Sequence, residues 1–193
     1  MIKPTLIAQD YIDAAMAVPC SVAAIKAVAT VESGTLGGFN RDGTPVTLFE
    51  GHKFHELTHG IYATQAPDLS FPYWDKSFYG KTWQQEQRRL QRAMVLDRDA
   101  ALRSASWGKF QIMGFNHFIA GHATIQGFVN AMYRGEREHL DAFVAFVKSK
   151  GLGPALRRLD WEAVARVYNG RGFAKNQWDV KMARAYDKFT MQA

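Results

Sequence analysis

Residues 21–34, SVAAIKAVATVESG, carry the pattern from which the rest of the chain can be read. Val22, Ile25, Ala29 and Glu32 recur at helical spacing, which predicts a helix capped by Ser21, ending near Gly34, with the Glu32 carboxyl on its buried face. Burial disfavours the ionised carboxylate, and the partial negative charge of a helix C-terminus acts in the same direction. A carboxyl that keeps its proton near neutral pH suits general-acid chemistry.

Outward from this helix, Thr5 can cap a first helix running through Met16. Residues 35–80 differ: Gly37, Gly38, Gly43, Pro45, Gly51, Gly60, Pro67, Pro72 and Gly80 predict turns, one short hairpin around Val46 to Phe49, and little long helix. From Thr82 a helix is expected to about Arg103, carrying Trp83, Leu90, Met94 and Ala101. Thr124 caps the longest helix, which buries Ile125, Val129, Met132, Leu140, Phe143 and Val147 and stops at Gly151. Asp160 caps a helix ending at Tyr168, with Gly170 as its C-terminal residue. Asn176 starts a last helix that buries Met182, Tyr186 and Phe189. No repeat or linker divides the 193 residues, a length suited to one core, so a single domain over 1–193 is expected.

The 24 Lys and Arg against 18 Asp and Glu leave +6, so the surface should attract polyanions. No basic run or nucleic-acid motif concentrates that charge, and Arg88, Arg89 and Arg92 beside Glu86 read as a solvated helix face. Nucleic acid is therefore not expected as a partner, while anionic lipid and anionic cell-envelope polymers stay open. The single Cys20 excludes an internal disulfide and reads as a small buried residue. Pro19 and Lys26 interrupt the Ala-rich stretch from Ala14 to Ala29, and Asp10 and Asp13 precede it. Neither a membrane span nor an export signal is expected.

Two further segments accompany Glu32: Ser106-Trp107-Gly108-Lys109-Phe110-Gln111-Ile112-Met113, and Tyr168-Asn169-Gly170. In chain order, with Glu32-Ser33, they resemble three motifs of the goose-type lysozymes and soluble lytic transglycosylases. From Val28 to Phe189 the chain is more similar to the N-acetylmuramidase family of phage and prophage endolysins, which also shares Leu48-Phe49-Glu50-Gly51-His52. The resemblance implies a mainly α, lysozyme-like domain with a Gly-rich, partly extended insertion. It implies a peptidoglycan hydrolase that cleaves the β-1,4 bond between N-acetylmuramic acid and N-acetylglucosamine, made in the host cytoplasm and acting once the membrane is permeabilised. Glu32 would be the acid, with Tyr168 pointing at it. Gln111 and Met113 would line the saccharide cleft, Ser106 would shape it, and Asn169 would anchor the loop or the substrate's acetamido group. No cofactor is implied, and a monomer is expected.

The interval between Glu32 and Gln111 is longer than in transglycosylases, which brings a second carboxylate into play. Asp42 or Glu50 could activate water, although Glu50 beside His52 could equally be a buried structural pair. Glu136, on the apolar stripe between Met132 and Leu140, reads as a satisfied buried carboxylate. Gln111 within an apolar run would be unsatisfied if merely buried, so a ligand-facing amide is the better reading. Trp107 fits either a stacking platform or the core. Three other functions compete: a lytic transglycosylase on the same bond, a non-catalytic wall-binding module, and a zinc protease. The last rests on His55-Glu56-Leu57-Thr58-His59, an H-E-x-x-H match. Gly60 would end any helix directly after the second His, and no third ligand is identifiable, so no metal is expected.

Overall fold

The computed structural model describes residues 3–33 and 37–191, without the side chains of Ser33, Asn169 and Arg171. Helix α1 (Ala8–Ala17) starts later than Thr5 predicts. Its approach is held extended, because the Leu6 amide donates to Glu136 Oε2 at 3.2 Å and the Glu136 amide donates to the Pro4 carbonyl at 3.0 Å. The Asp10 carboxylate then caps the Ile7 amide at 2.9 Å. Helix α2 (Val22–Ser33) starts as expected, with Ser21 Oγ accepting from the Ala24 amide at 3.2 Å. Its predicted stop, Gly34, lies outside the described residues. The two helices meet at 109°, and no single helix among the described residues is long and apolar enough to cross a membrane.

Strand β1 (Thr47–Phe49) opens into helix α3 (Gly51–Leu57). The hairpin expected around Val46 to Phe49 is only partly local: Phe39 bridges Pro45, but β1 itself pairs antiparallel with the distant β2 (Ala105–Trp107). β2 pairs in turn with β3 (Ile112–Met113), giving the sheet order β1-β2-β3. The register places Leu48 opposite Ser106 and Ser106 opposite Met113. Because side chains alternate along a strand, these three share one face of the sheet. The other face carries Phe49, Ala105, Trp107 and Ile112, all buried in the core. Trp107 is thus a core residue, 2% exposed, with its indole N–H donating to the Leu102 carbonyl at 3.1 Å.

Two of the predicted long helices are broken. The segment after Thr82 forms α4 (Trp83–Leu96) and α5 (Arg98–Arg103), separated at Asp97, whose carboxylate accepts from the Ala100 amide at 2.9 Å and begins a new helix. Similarly, α6 (Ile125–Met132) and α7 (Glu136–Ser149) part at Gly135, where the Glu136 amide has the Pro4 carbonyl as its partner instead of a helical one. The sequence reading missed α8 (Gly153–Arg158), a short helix opened by Pro154. The Asp160 cap of α9 (Trp161–Asn169) is present, and Gly170 follows at φ +68°. The last helix, α10 (Trp178–Thr190), starts two residues beyond Asn176 and fully buries Met182, whereas Tyr186 and Phe189 are only half-buried.

Helix α2 is the centre of the fold, with Ile25, Ala27 and Val28 fully buried and α1 and α10 packed against it. Large aromatic side chains, among them Phe49, Phe54, Phe110, Phe128 and Phe143, fill the remaining core. Each contributes roughly 1.5–3 kcal/mol through the apolar area it removes from water.

Candidate active site

The Ser106–Met113 segment forms a rigid bracket built from its own turn chemistry. Gly108 (φ +71°) and Gln111 (φ +46°) both adopt left-handed backbone in the turn between β2 and β3. A Cβ on Gly108 would lie 2.7 Å from His139 Nδ1, so the close approach expected there is real and is made to a histidine ring. His139 is almost fully buried. Its Nδ1 accepts from the Lys109 amide at 3.0 Å, which leaves Nε2 to donate to the Met132 carbonyl at 2.8 Å. Phe110 stacks on Phe143 with ring centroids 4.5 Å apart.

Gln111 needs a correction. Its Oε1 accepts from Ser106 Oγ at 2.8 Å, and its Nε2 donates to the carbonyls of Gly108 at 2.8 Å and Val46 at 3.3 Å. The amide expected to be unsatisfied without a ligand is therefore satisfied by the protein, and the argument that it must face the substrate falls. Gln111 instead ties the turn to the segment leading into β1. Ser106 serves the same clasp from the Leu48–Ser106–Met113 face.

That face borders the cleft. Leu48 and Glu50 line a cavity of about 690 Å³ together with Trp74, Lys76 and Tyr79 from the irregular insertion. Gly172, Lys175 and Asn176, from the loop after α9, line it too. A smaller adjoining hollow of about 210 Å³ is lined by Glu50 again, with His52, Trp74, Met113 and Phe115. Glu50 precedes α3 at its N-cap, yet makes no side-chain capping bond. Its Oε2 accepts from the Tyr79 hydroxyl, and His52 Nδ1 stands 3.4 Å away. Burial pushes the Glu50 carboxyl above the usual carboxylate range, against the Tyr79 hydrogen bond, and the nearby Glu86 charge adds to the rise. Desolvation also keeps His52 below its ordinary value, so this imidazole is neutral at pH 7.

Glu32 lies in the last turn of α2, half-buried, near Tyr168. Burial drives the Tyr168 phenol well above its ordinary value and the Glu32 charge adds to the shift, which places the two in electrostatic reach. The Tyr168 hydroxyl donates to the Phe110 carbonyl, so the corner is bolted to the Ser106–Met113 bracket. The chain then runs from Tyr168 directly into the loop whose Gly172, Lys175 and Asn176 wall the Glu50 cavity. The side chain of Asn169 lies outside the described set.

Of the two candidate second carboxylates, the structure puts only Glu50 in this cavity. Asp42 stands in an exposed turn, where its Oδ1 accepts from the Thr44 amide at 3.0 Å and the Thr44 hydroxyl at 2.7 Å. Glu136 is a satisfied buried carboxylate, accepting from the Gly38 amide at 2.7 Å, the Leu6 amide at 3.2 Å and Lys109 Nζ at 3.2 Å. Glu86 and Arg89 are not part of a solvated face. They are 6% and 8% exposed and paired at 3.0 Å, with Arg89 donating to the Phe49 carbonyl and Glu86 accepting from the Gly80 amide. The helix carrying His55 and Glu56 ends at Leu57, and His59 follows in left-handed backbone (φ +52°). His55 faces Ser70 Oγ at 3.2 Å, and Glu56 pairs with Lys53 at 2.7 Å. Cys20 is half-buried, with its thiol pushed up to about 11 by desolvation.

The sequence reading missed Trp74, Lys76, Tyr79, Lys175 and Asn176. A signal was present in residues 71–80, FPYWDKSFYG, where aromatics crowd a stretch without helical or strand period, and Trp74 is 60% exposed. A large aromatic with no core face to occupy points to a cleft.

Residues 21–190 match a family model described as N-acetylmuramidase. Among solved structures, the chain is similar to an endolysin of the Burkholderia phage AP3, at 35% identity and a TM-score of 0.87, over 99% of this chain and 74% of that one. No curated protein matches.

Proposed function

This chain belongs to the N-acetylmuramidase family and is a peptidoglycan hydrolase of lysozyme-like fold, and on that premise we propose how its residues divide the work of cleavage. Glu32 protonates the glycosidic oxygen of the β-1,4 bond between N-acetylmuramic acid and N-acetylglucosamine. Positive charge spreads over C1 and the ring oxygen as the bond breaks. Glu50 takes a proton from the water that attacks C1. Burial raises the Glu50 carboxyl, and the carboxylate of a group so raised is a stronger base than that of an exposed Glu. Tyr79 holds it in place through its hydroxyl. Tyr168 and the bracket beneath it fix the Glu32 side of the site, and Met113 and Trp74 offer apolar surface to sugar rings. The likeness to a phage endolysin supports wall lysis as the biological outcome.

The observation that carries this division is the position of Glu50, a half-buried carboxyl lining the cavity and left out of helix capping. Glu32→Gln and Glu50→Gln should each clear peptidoglycan suspensions at least ~100-fold more slowly while unfolding near the wild-type temperature. Near wild-type clearing by folded Glu32→Gln removes it as the acid. The same result for Glu50→Gln returns that residue to a structural pair with His52.

A further inference from the structure

Lys76 and Lys175 both line the Glu50 cavity, one supplied by the aromatic insertion and the other by the loop after α9. Among the described residues several bases are held by carboxylates, including Lys53 by Glu56, Arg89 by Glu86 and Lys109 by Glu136, but others are not, so the placement of Lys76 and Lys175 matters more than their lack of an ion pair. None of the ion pairs among the described residues includes Lys76 or Lys175. The acid next to Lys76 is Asp75, whose Oδ1 accepts from the Ser77 amide at 2.8 Å and so is turned into its own helical turn. Among the described residues Glu50 is the one acidic side chain in the cavity lining, and the Tyr79 hydroxyl donates to its Oε2. Both lysines are exposed, and an unpaired surface lysine alone would mean little. Two of them lining a cavity whose described lining holds Glu50 as its acidic side chain bias the local field toward positive.

Within the proposed substrate, only the muramic acid residues answer that field. Their O3 arm carries a carboxylate, either the lactyl group of a bare strand or the carboxylates of an attached peptide, whereas N-acetylglucosamine is neutral. We propose that Lys76 and Lys175 receive this carboxylate-bearing arm and so fix which of the two sugars sits beside Glu50. This rests on the reading of the cleft given above. The pair sets the register of the glycan strand, Trp74 supports the ring between them, and cleavage is thereby confined to the bond on one side of muramic acid.

The test measures kcat and KM of the wild type, Lys76→Ala, Lys175→Ala and the double variant on soluble glycan strands. The strands are peptide-bearing, stripped to the free lactyl group, or carrying either set of carboxylates blocked as neutral amides. On charged strands each substitution should raise KM about 3- to 10-fold, between the worth of an exposed ion pair and a charge-assisted hydrogen bond, with kcat within about twofold. On amidated strands the wild type should rise to the KM of the double variant, and the difference between them should vanish. A loss confined to stripped strands assigns the lactyl carboxylate, and a loss confined to peptide-bearing strands assigns the peptide's. Unchanged KM values on all charged strands, or a loss that persists on amidated ones, overturn the proposal. The masses of the products report independently on the cleft reading: cleavage at the other glycosidic linkage would contradict that reading whatever the KM values show.

Discussion

At the residue scale, Glu32 drew notice because a carboxyl within an apolar pattern is costly and calls for a reason, whereas Glu50 entered only beside Asp42, as a carboxyl in the long interval before Gln111. Gln111 looked similar and is different, since its partners include the Val46 carbonyl, far away in sequence. Satisfaction of a buried amide by a distant backbone group leaves no trace in local pattern. The consequence is testable: Gln111→Leu should lower unfolding free energy by about 1–3 kcal/mol, because the Ser106 hydroxyl and two carbonyls lose a partner. Urea unfolding measures this, and a variant of unchanged stability with a raised KM would restore Gln111 to the substrate. Tyr168→Phe removes the hydroxyl from the Phe110 carbonyl beside Glu32. It should cost about 1 kcal/mol of stability and lower kcat, and a kcat unchanged per folded molecule would make Tyr168 purely structural.

At the element scale, helix starts with a Ser, Thr or Asp three residues ahead of their amide were legible: Ser21, Thr82, Thr124 and Asp160 all cap where expected. The breaks at Asp97 and Gly135 were not, since each lies within a continuous apolar period and the second depends on Pro4, far upstream. Glu136 at the head of α7 joins the N-terminal segment, the loop at Gly38 and Lys109 of the bracket. Glu136→Ala would leave Lys109 and two amides without their acceptor, and urea unfolding should show a loss of about 3–5 kcal/mol. His139, one turn along the same helix, adds a pH dependence. Burial depresses its folded pKa below the unfolded value of about 6.5, so its stabilising contribution is complete above that pH. It is lost as pH falls from there through the depressed folded value, because the unfolded chain binds the proton first. His52 and His122 are depressed in the same direction. Unfolding free energy should therefore decline from pH 7 toward pH 5, and His139→Gln should flatten part of that decline. A slope identical in the variant would place the titration elsewhere.

At the scale of the whole molecule, helix content and the Gly-rich insertion were legible, whereas the sheet that organises the site was not. β1 lies within the insertion and β2 far beyond its end, and pairing at that separation is set by which faces find the core. The net charge of +6 belongs to this scale too. Added salt, with a Debye length of about 8 Å at physiological strength, should slow lysis of permeabilised cells more than cleavage of short soluble glycans. Equal slopes would show that charge does not concentrate the protein on the wall. The central claim is that two carboxyls, Glu32 as acid and Glu50 as water-activating base, hydrolyse the muramoyl bond. Mass spectrometry of peptidoglycan digested in ¹⁸O-labelled water tests it most directly. Label should appear at the reducing-end muramic acid with no 1,6-anhydro product, and Glu50→Gln should suppress that labelled product. Predominantly anhydromuramoyl ends would contradict the account, showing that Glu32 acts in turn as acid and base and that no water is activated.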